Sequence, residues 1–338
     1  MKQEYRRLAA LRQQEARALE RDRFCIDLVQ RCTDLIDELQ RERGLGQLVL
    51  STAAESYAPA LCEQIQCSVE VEQALRQPLR QLEQAPRNAE TELTGLKRLG
   101  LAMLHSPGLA DLVSLRRDLL LTRCSRQAVY DAYCTLLAQL LELVEAAGHA
   151  LSDSALKQEL AILLQLMWGK EYSGQERASG AGLYASGRHA ARGWQRIGQL
   201  IEAQQRCASA FISRARPGAR KRLKDSLRFE TQIELEALRQ QLADSPDQAT
   251  LDPGLGELWF RSCSRRMNEL REVERHLLQE MQQALARRQA HPVTTRPPAE
   301  MAQTARLTPG AVETVLRTAA AWLAGASAGA TPRRGTPA

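Results

Sequence analysis

Apolar residues recur at steps of three and four along most of this chain, and that rhythm is the strongest constraint on what it can fold into. The run Cys32, Ile36, Leu39, Arg43, Gly46, Leu50 advances by four, three, four, three and four, which keeps one face of a helix turned inward. Aromatic residues are only 4% of the 338, and β-branched strand formers are also scarce, so sheet is not expected. With 44% hydrophobic residues the chain can bury a sizeable core. The expectation is an all-α protein.

Punctuation divides that rhythm into helices. Residues 1 to about 57 read as one long helix or two abutting ones, limited by Pro59, and a further helix covers about 60 to 83, with a kink at Pro78 and Pro86 closing it. A third spans 88 to 105. Ser106-Pro107 signals a further start, and the pattern breaks near Ser125 before resuming from about 128 to 151. Ser152-Asp153 can cap a long helix to about 187. Helices at about 189–213, 219–242 and 254–288 follow, separated by Pro217-Gly218, Ser245-Pro246-Asp247 and Asp252-Pro253-Gly254. Short connections between long amphipathic helices make neighbours antiparallel, which predicts two antiparallel four-helix bundles. The organisation expected is an all-helical region over 1–288, in halves of about 1–150 and 151–288, then a flexible tail over 289–338. That tail holds six of the 13 prolines and one short helix from Thr308-Pro309-Gly310 through Trp322.

Charge and reactive residues exclude several classes. The net charge is +6, of which the tail supplies +3 (five Arg, two Glu), so neither part carries the clustered charge of a dedicated nucleic-acid binder. The basic stretch Arg214, Arg216, Arg220, Lys221, Arg222, Lys224 has no interleaved aromatic and reads as a solvated turn. Eight cysteines without a CxxC pair read as reduced packing residues of a cytosolic protein. The five histidines are scattered without metal-ligand spacing, and no phosphate loop or nucleophile elbow is present, so no metal, no cofactor and no enzymatic activity are expected. The N-terminus opens into polar helix, and no apolar run reaches the roughly 18 residues of a membrane span, so a soluble cytoplasmic protein without membrane contact is expected.

One faint repeat stands out. At an offset of 134, Glu42, Arg43 and Gly46 coincide with Glu176, Arg177 and Gly180, Val49 meets Leu183, and Thr52 meets Ser186. Arg43 lies on the first stripe; Arg177 lies on a second, Leu160, Leu163, Met167, Lys170, Gly174, Arg177, Ala181, Tyr184. Both arginines are expected to point inward. A buried guanidinium costs several kcal/mol unless it is satisfied, either by carboxylates from other helices or by an anion. Glu42 and Glu176 cannot serve from the same helix, because adjacent residues diverge by about 100°. Small residues around each arginine (Gly44, Gly46 and, beside them, Gln47; Gly174, Gly180, Ala181) would leave room for a small oxyanion held by two planar forks. Inward arginines in bundles more often serve structural ion pairs, so both readings stand on residue chemistry alone.

Three segments carry a resemblance: Leu39-Gln40-Arg41-Glu42-Arg43-Gly44-Leu45, the stretch from Leu115-Arg116-Arg117 through Tyr133-Cys134-Thr135-Leu136-Leu137, and Lys170-Glu171-Tyr172-Ser173-Gly174-Gln175-Glu176-Arg177-Ala178. Together they resemble the nitrate- and nitrite-sensing domain known as NIT, over about residues 20 to 285. The resemblance implies an all-helical sensor of two four-helix bundles that binds nitrate or nitrite through arginines of the two Glu-Arg motifs, here Arg43 and Arg177. It also implies an output module, such as an RNA-binding antitermination (ANTAR) domain, a kinase, a chemoreceptor or a cyclase. No signature of these follows Arg288, so the output is expected to lie in a partner protein or to be lost, with direct nucleic-acid binding not expected and a homodimer left open. The competing expectations are a scaffolding bundle with internal ion pairs and an RNA-binding antiterminator.

Overall fold

In a computed structural model, which describes residues 2–50, 54–84, 93–105 and 108–290, the three-and-four rhythm resolves into ten α-helices among the described residues. They are α1 (Lys2–Val49), α2 (Ala54–Gln84), α3 (Thr94–His105), α4 (Leu112–Leu120), α5 (Arg126–Ala150), α6 (Ser154–Ala185), α7 (Ala191–Arg214), α8 (Pro217–Ser226), α9 (Phe229–Asp244) and α10 (Gly254–Ala290). Met1–Leu285 make up one compact unit. The all-α expectation holds: among the described residues the β-type pairing is a single isolated bridge between Arg188 and Thr250.

Local chemistry sets the boundaries. Asp153 caps α6 by accepting from the amides of Ala155 at 2.7 Å and Leu156 at 3.1 Å. Ser125 caps α5 through Ala128. Gly187 ends α6 with φ of +69°, a left-handed position that glycine adopts without steric cost. The loop after α6 is then stitched to the loop before α10 by backbone bonds: His189 N to Ala249 O, Gln248 N to His189 O and Leu251 N to Gly187 O.

Three expectations are corrected. α1 ends at Val49, and Pro59 lies inside α2, as does Pro78. The helix expected over 219–242 is two helices, because Leu227 and Arg228 take extended backbone angles between α8 and α9 without a Pro or Gly to announce it. Cys62 and Cys67, read as packing residues, are exposed on α2, whereas Cys25, Cys32 and Cys263 are buried. Pro86, Thr52, Ser106-Pro107 and the tail helix near Thr308 lie outside the described residues.

Two apolar clusters organise the interior. The larger draws on α1 (Leu28, Ile36, Leu39), α5 (Leu137, Leu140), α6 (Leu160, Leu163, Met167) and the later half of α10 (Val273, Leu277, Leu278), so it takes residues from both sides of position 150. The smaller is built by α6, α7, α9 and α10, with Tyr184, Ile197, Leu235 and Trp259 at its centre. Each fully buried leucine contributes about 1.5–3 kcal/mol. Helix α6 runs through both clusters. Between them it carries a buried polar stretch in which Lys170, Glu171 and Arg177 meet Asp37, Gln40 and Arg43 of α1.

Candidate functional site

Arg43 and Arg177 are 0% and 3% exposed, as the stripe stepping requires. They meet different fates. The Arg43 guanidinium forms a two-bond fork with Glu171 of α6, Nη1 to Oε1 at 2.5 Å and Nη2 to Oε2 at 3.1 Å, and Nη1 also reaches Cys134 Sγ at 3.1 Å. Burial pulls its pKa down, but Glu171 more than offsets this and the net shift is upward. Arg177 donates only to neutral oxygens, Ser264 Oγ at 2.9 Å and the Gln40 carbonyl at 2.5 Å, and stacks over the Phe260 ring at 4.8 Å. No carboxylate among the described residues forms an ion pair with it. Burial first, and then the charge of Arg43, pull its pKa down to about 10. The Nε of each arginine has no hydrogen-bond partner among the described residues. Glu171 thus pairs with Arg43 alone, and Arg177 is buried without an ion-pair partner among the described residues.

The motif carboxylates hold helices together. Glu42 accepts a fork from Arg116 of α4 (2.8 and 3.1 Å) and a bond from the Tyr133 hydroxyl of α5, while Arg116 also reaches Glu72 of α2 at 2.8 Å. Glu176 accepts a fork from Arg239 of α9, both bonds 2.8 Å, and a bond from Gln204 of α7 at 2.6 Å. Lys170 bridges Asp37 of α1 and Glu274 of α10.

The small residues expected to line a cavity divide into two groups. A Cβ on Gly44 would lie 2.7 Å from Arg177 Nη2, and one on Gly174 would lie 2.5 Å from Arg43 Nη2, so each glycine lets the other motif's arginine cross its helix. The room left by these glycines is thus filled by the guanidiniums themselves. Gly46 packs on Leu119 and Gly180 on the Trp259 indole, away from the arginines, and Ala181 is buried on α6. Gln47 donates to the Arg126 carbonyl at 3.0 Å. Arg214, Arg216, Arg220, Lys221, Arg222 and Lys224 are exposed around α8, with Arg216 paired to Glu159 at 2.7 Å.

Sequence reasoning assigned no role to Glu171, Arg116, Arg239 or Ser264. A signal for the first three was present: Met167-Glu171-Gly174, Leu112-Arg116-Leu119 and Leu235-Arg239-Leu242 all repeat the four-then-three step that marked Arg43.

The described residues thus form an all-helical unit with a buried guanidinium pair between its two apolar clusters. The family described as nitrate and nitrite sensing (NIT) matches residues 34–282, and this chain belongs to it. A nitrate regulatory protein of Klebsiella oxytoca is 28% identical over 245 residues, 72% of this chain and 59% of its own length, so the chain spans under two thirds of that curated relative. The solved structure of the NasR transcription antiterminator superposes with a TM-score of 0.73 at 23% identity, covering 94% of this chain and 82% of that one, which supports the fold. Among the described residues no helix is long and apolar enough to cross a membrane, and no cluster of three or more His, Cys, Asp or Glu side chains could hold a metal ion.

Proposed function

We propose that this chain is a nitrate- or nitrite-responsive regulator of nitrate assimilation, acting in the cytoplasm by signal transduction rather than catalysis, in which Arg43 and Arg177 hold the anion. The observation that carries the reading is Arg177, a buried cation with neutral partners only, packed close enough to Arg43 to lower its pKa. A planar oxyanion with one negative charge matches both the charge deficit and the fork geometry of the guanidinium.

Binding would do two things. It would neutralise Arg177, and it would compete with Glu171 for Arg43, loosening one α1–α6 tie while drawing the two arginines together. Because Arg177 is also bonded to Ser264, a change in its position reaches α10 directly. The anion shifts the balance of the two arrangements only by its differential affinity for them. The output would be read by a partner protein, and nitrate's effect on RNA would be indirect.

Calorimetric titration with nitrate, nitrite, chloride and sulfate tests this. The expected result is millimolar or tighter binding of nitrate or nitrite, lost in Arg177→Met and weakened in Arg177→Lys, whose ammonium cannot form the fork. No heat from either anion, or equal binding by Arg177→Met, would sink the proposal. The Arg43–Glu171 fork favours a second reading in which the bundle is purely structural; that reading expects nitrate to leave the melting temperature unchanged.

A further inference from the structure

A guanidinium pair as buried as Arg43 and Arg177 needs a route by which an anion arrives. Among the described residues, a cleft of about 320 Å³ lies between α1, α5, α6 and α7, lined by Gln47, Arg126, Tyr130, Ser179, Gly182 and Arg196. Its two arginines have neutral partners: Arg126 Nη1 donates to the Gly182 carbonyl at 3.3 Å, and Arg196 Nη2 to the Tyr130 hydroxyl at 3.3 Å. Neither forms an ion pair with a carboxylate of the described residues, so the cleft is positively charged.

Tyr130 connects this cleft to the buried pair. Its ring centre is 5.1 Å from Cζ of the exposed Arg196 and 5.9 Å from Cζ of the buried Arg43. Two of the bonds at its hydroxyl are long, from Arg196 at 3.3 Å and to Gln175 Oε1 at 3.4 Å, and its other hydrogen-bonding neighbours, Ser179 and Cys134, are small side chains. A side chain with one face of contacts in the cleft, another at the buried arginine, and weak tethers at its tip can swing aside at small cost.

We propose that the cleft is the anion's entrance, where Arg126 and Arg196 collect small inorganic anions and Tyr130 is the door between them and Arg43. This rests on the oxyanion reading of Arg43 and Arg177. A cleft lined by one sign of charge raises the on-rate of an oppositely charged ligand by about 10- to 1,000-fold, an effect that salt screens.

Stopped-flow mixing of the full chain with nitrate provides the test. Trp259 is a built-in reporter, because its indole Nε1 donates at 3.3 Å to the carbonyl of Glu176, next to Arg177. In Arg126→Gln/Arg196→Gln the on-rate should fall about tenfold and lose most of its salt dependence while the off-rate stays near that of the wild type. In Tyr130→Ala both rates should rise together and leave Kd nearly unchanged; Tyr130→Phe, which keeps the ring and loses the tethers, should lie between. A merely structural Tyr130 would raise the off-rate alone. Wild-type binding with unaltered on-rates in the arginine variants, or a Tyr130→Ala effect on the off-rate only, overturns the entrance and leaves the binding site standing. Absence of nitrate binding to the wild type removes the binding site and the entrance together.

Discussion

The two Glu-Arg motifs are alike in their carboxylates and unlike in their arginines. Glu42 and Glu176 each receive a forked arginine from a distant helix, Arg116 and Arg239, and one further neutral donor, Tyr133 and Gln204. Arg43 has an equally good fork to Glu171, whereas Arg177 has only a hydroxyl and a carbonyl. The repeat therefore records a shared framework of helix ties, and the chemical difference is confined to which arginine lacks a counter-charge.

The most direct way to break that contrast is to remove each arginine's charge in turn and measure unfolding in urea. Arg43→Met should cost about 3–5 kcal/mol, because it leaves the buried Glu171 with only the amides of Gln40 and Gln175, each at 2.9 Å. Arg177→Met should be neutral or stabilising by about 1 kcal/mol without ligand, since it deletes an unpaired buried charge. Equal costs would erase the asymmetry.

The carboxylates offer a smaller contrast. Glu176→Gln leaves Arg239 with the exposed Glu236 at 3.4 Å and should cost about 3 kcal/mol. Glu42→Gln should cost about half as much, because Arg116 keeps Glu72. Thermal melts of the two variants side by side decide it.

The glycines sharpen the comparison further. Gly174→Ala presses on an Arg43 head pinned by Glu171 and on Met267, so a net loss of about 1–2 kcal/mol is expected. Gly44→Ala meets the more loosely held Arg177 head, and the strain there should nearly cancel the roughly 1 kcal/mol gained in helix propensity.

A last contrast, in pH dependence, lies outside both motifs. Burial, with the charge of Asp37 adding to it against the opposing pull of Lys170, raises the Glu274 pKa from 4.5 to about 7. The folded state then holds this proton more tightly than the unfolded one, so the group adds stability at acid pH that is lost as pH rises through about 7. Glu274→Gln should flatten the pH dependence of unfolding free energy between 4.5 and 7, measured by denaturation at a series of pH values.

What the sequence makes legible follows from what helical spacing encodes. Stepping by three and four reports the direction of a side chain from its own helix axis, and it placed Arg43 and Arg177 inside. It carries nothing about which helix lies opposite, so the 128 positions between Arg43 and Glu171, or the 63 between Glu176 and Arg239, were invisible. The same blindness made the glycines look like the walls of an empty chamber, when each is the crossing point of an arginine from the other motif. Boundaries marked by Asp153, Ser125 and Gly187 lie within a few residues of expectation because their chemistry is local; the break at Leu227–Arg228 carries no Pro, Gly or side-chain cap to mark it.

The stitched loops at the end of α6 have a mechanical meaning. Gly187 is tied to Leu251, and His189, two residues on, to the chain at Gln248 and Ala249, so the C-terminal tip of α6 is fastened to the approach of α10. Arg177 lies about 12 Å of helix from the end of α6. Because those ties are backbone bonds, the tip of α6 and the approach of α10 keep their mutual register whatever side chains the two loops carry.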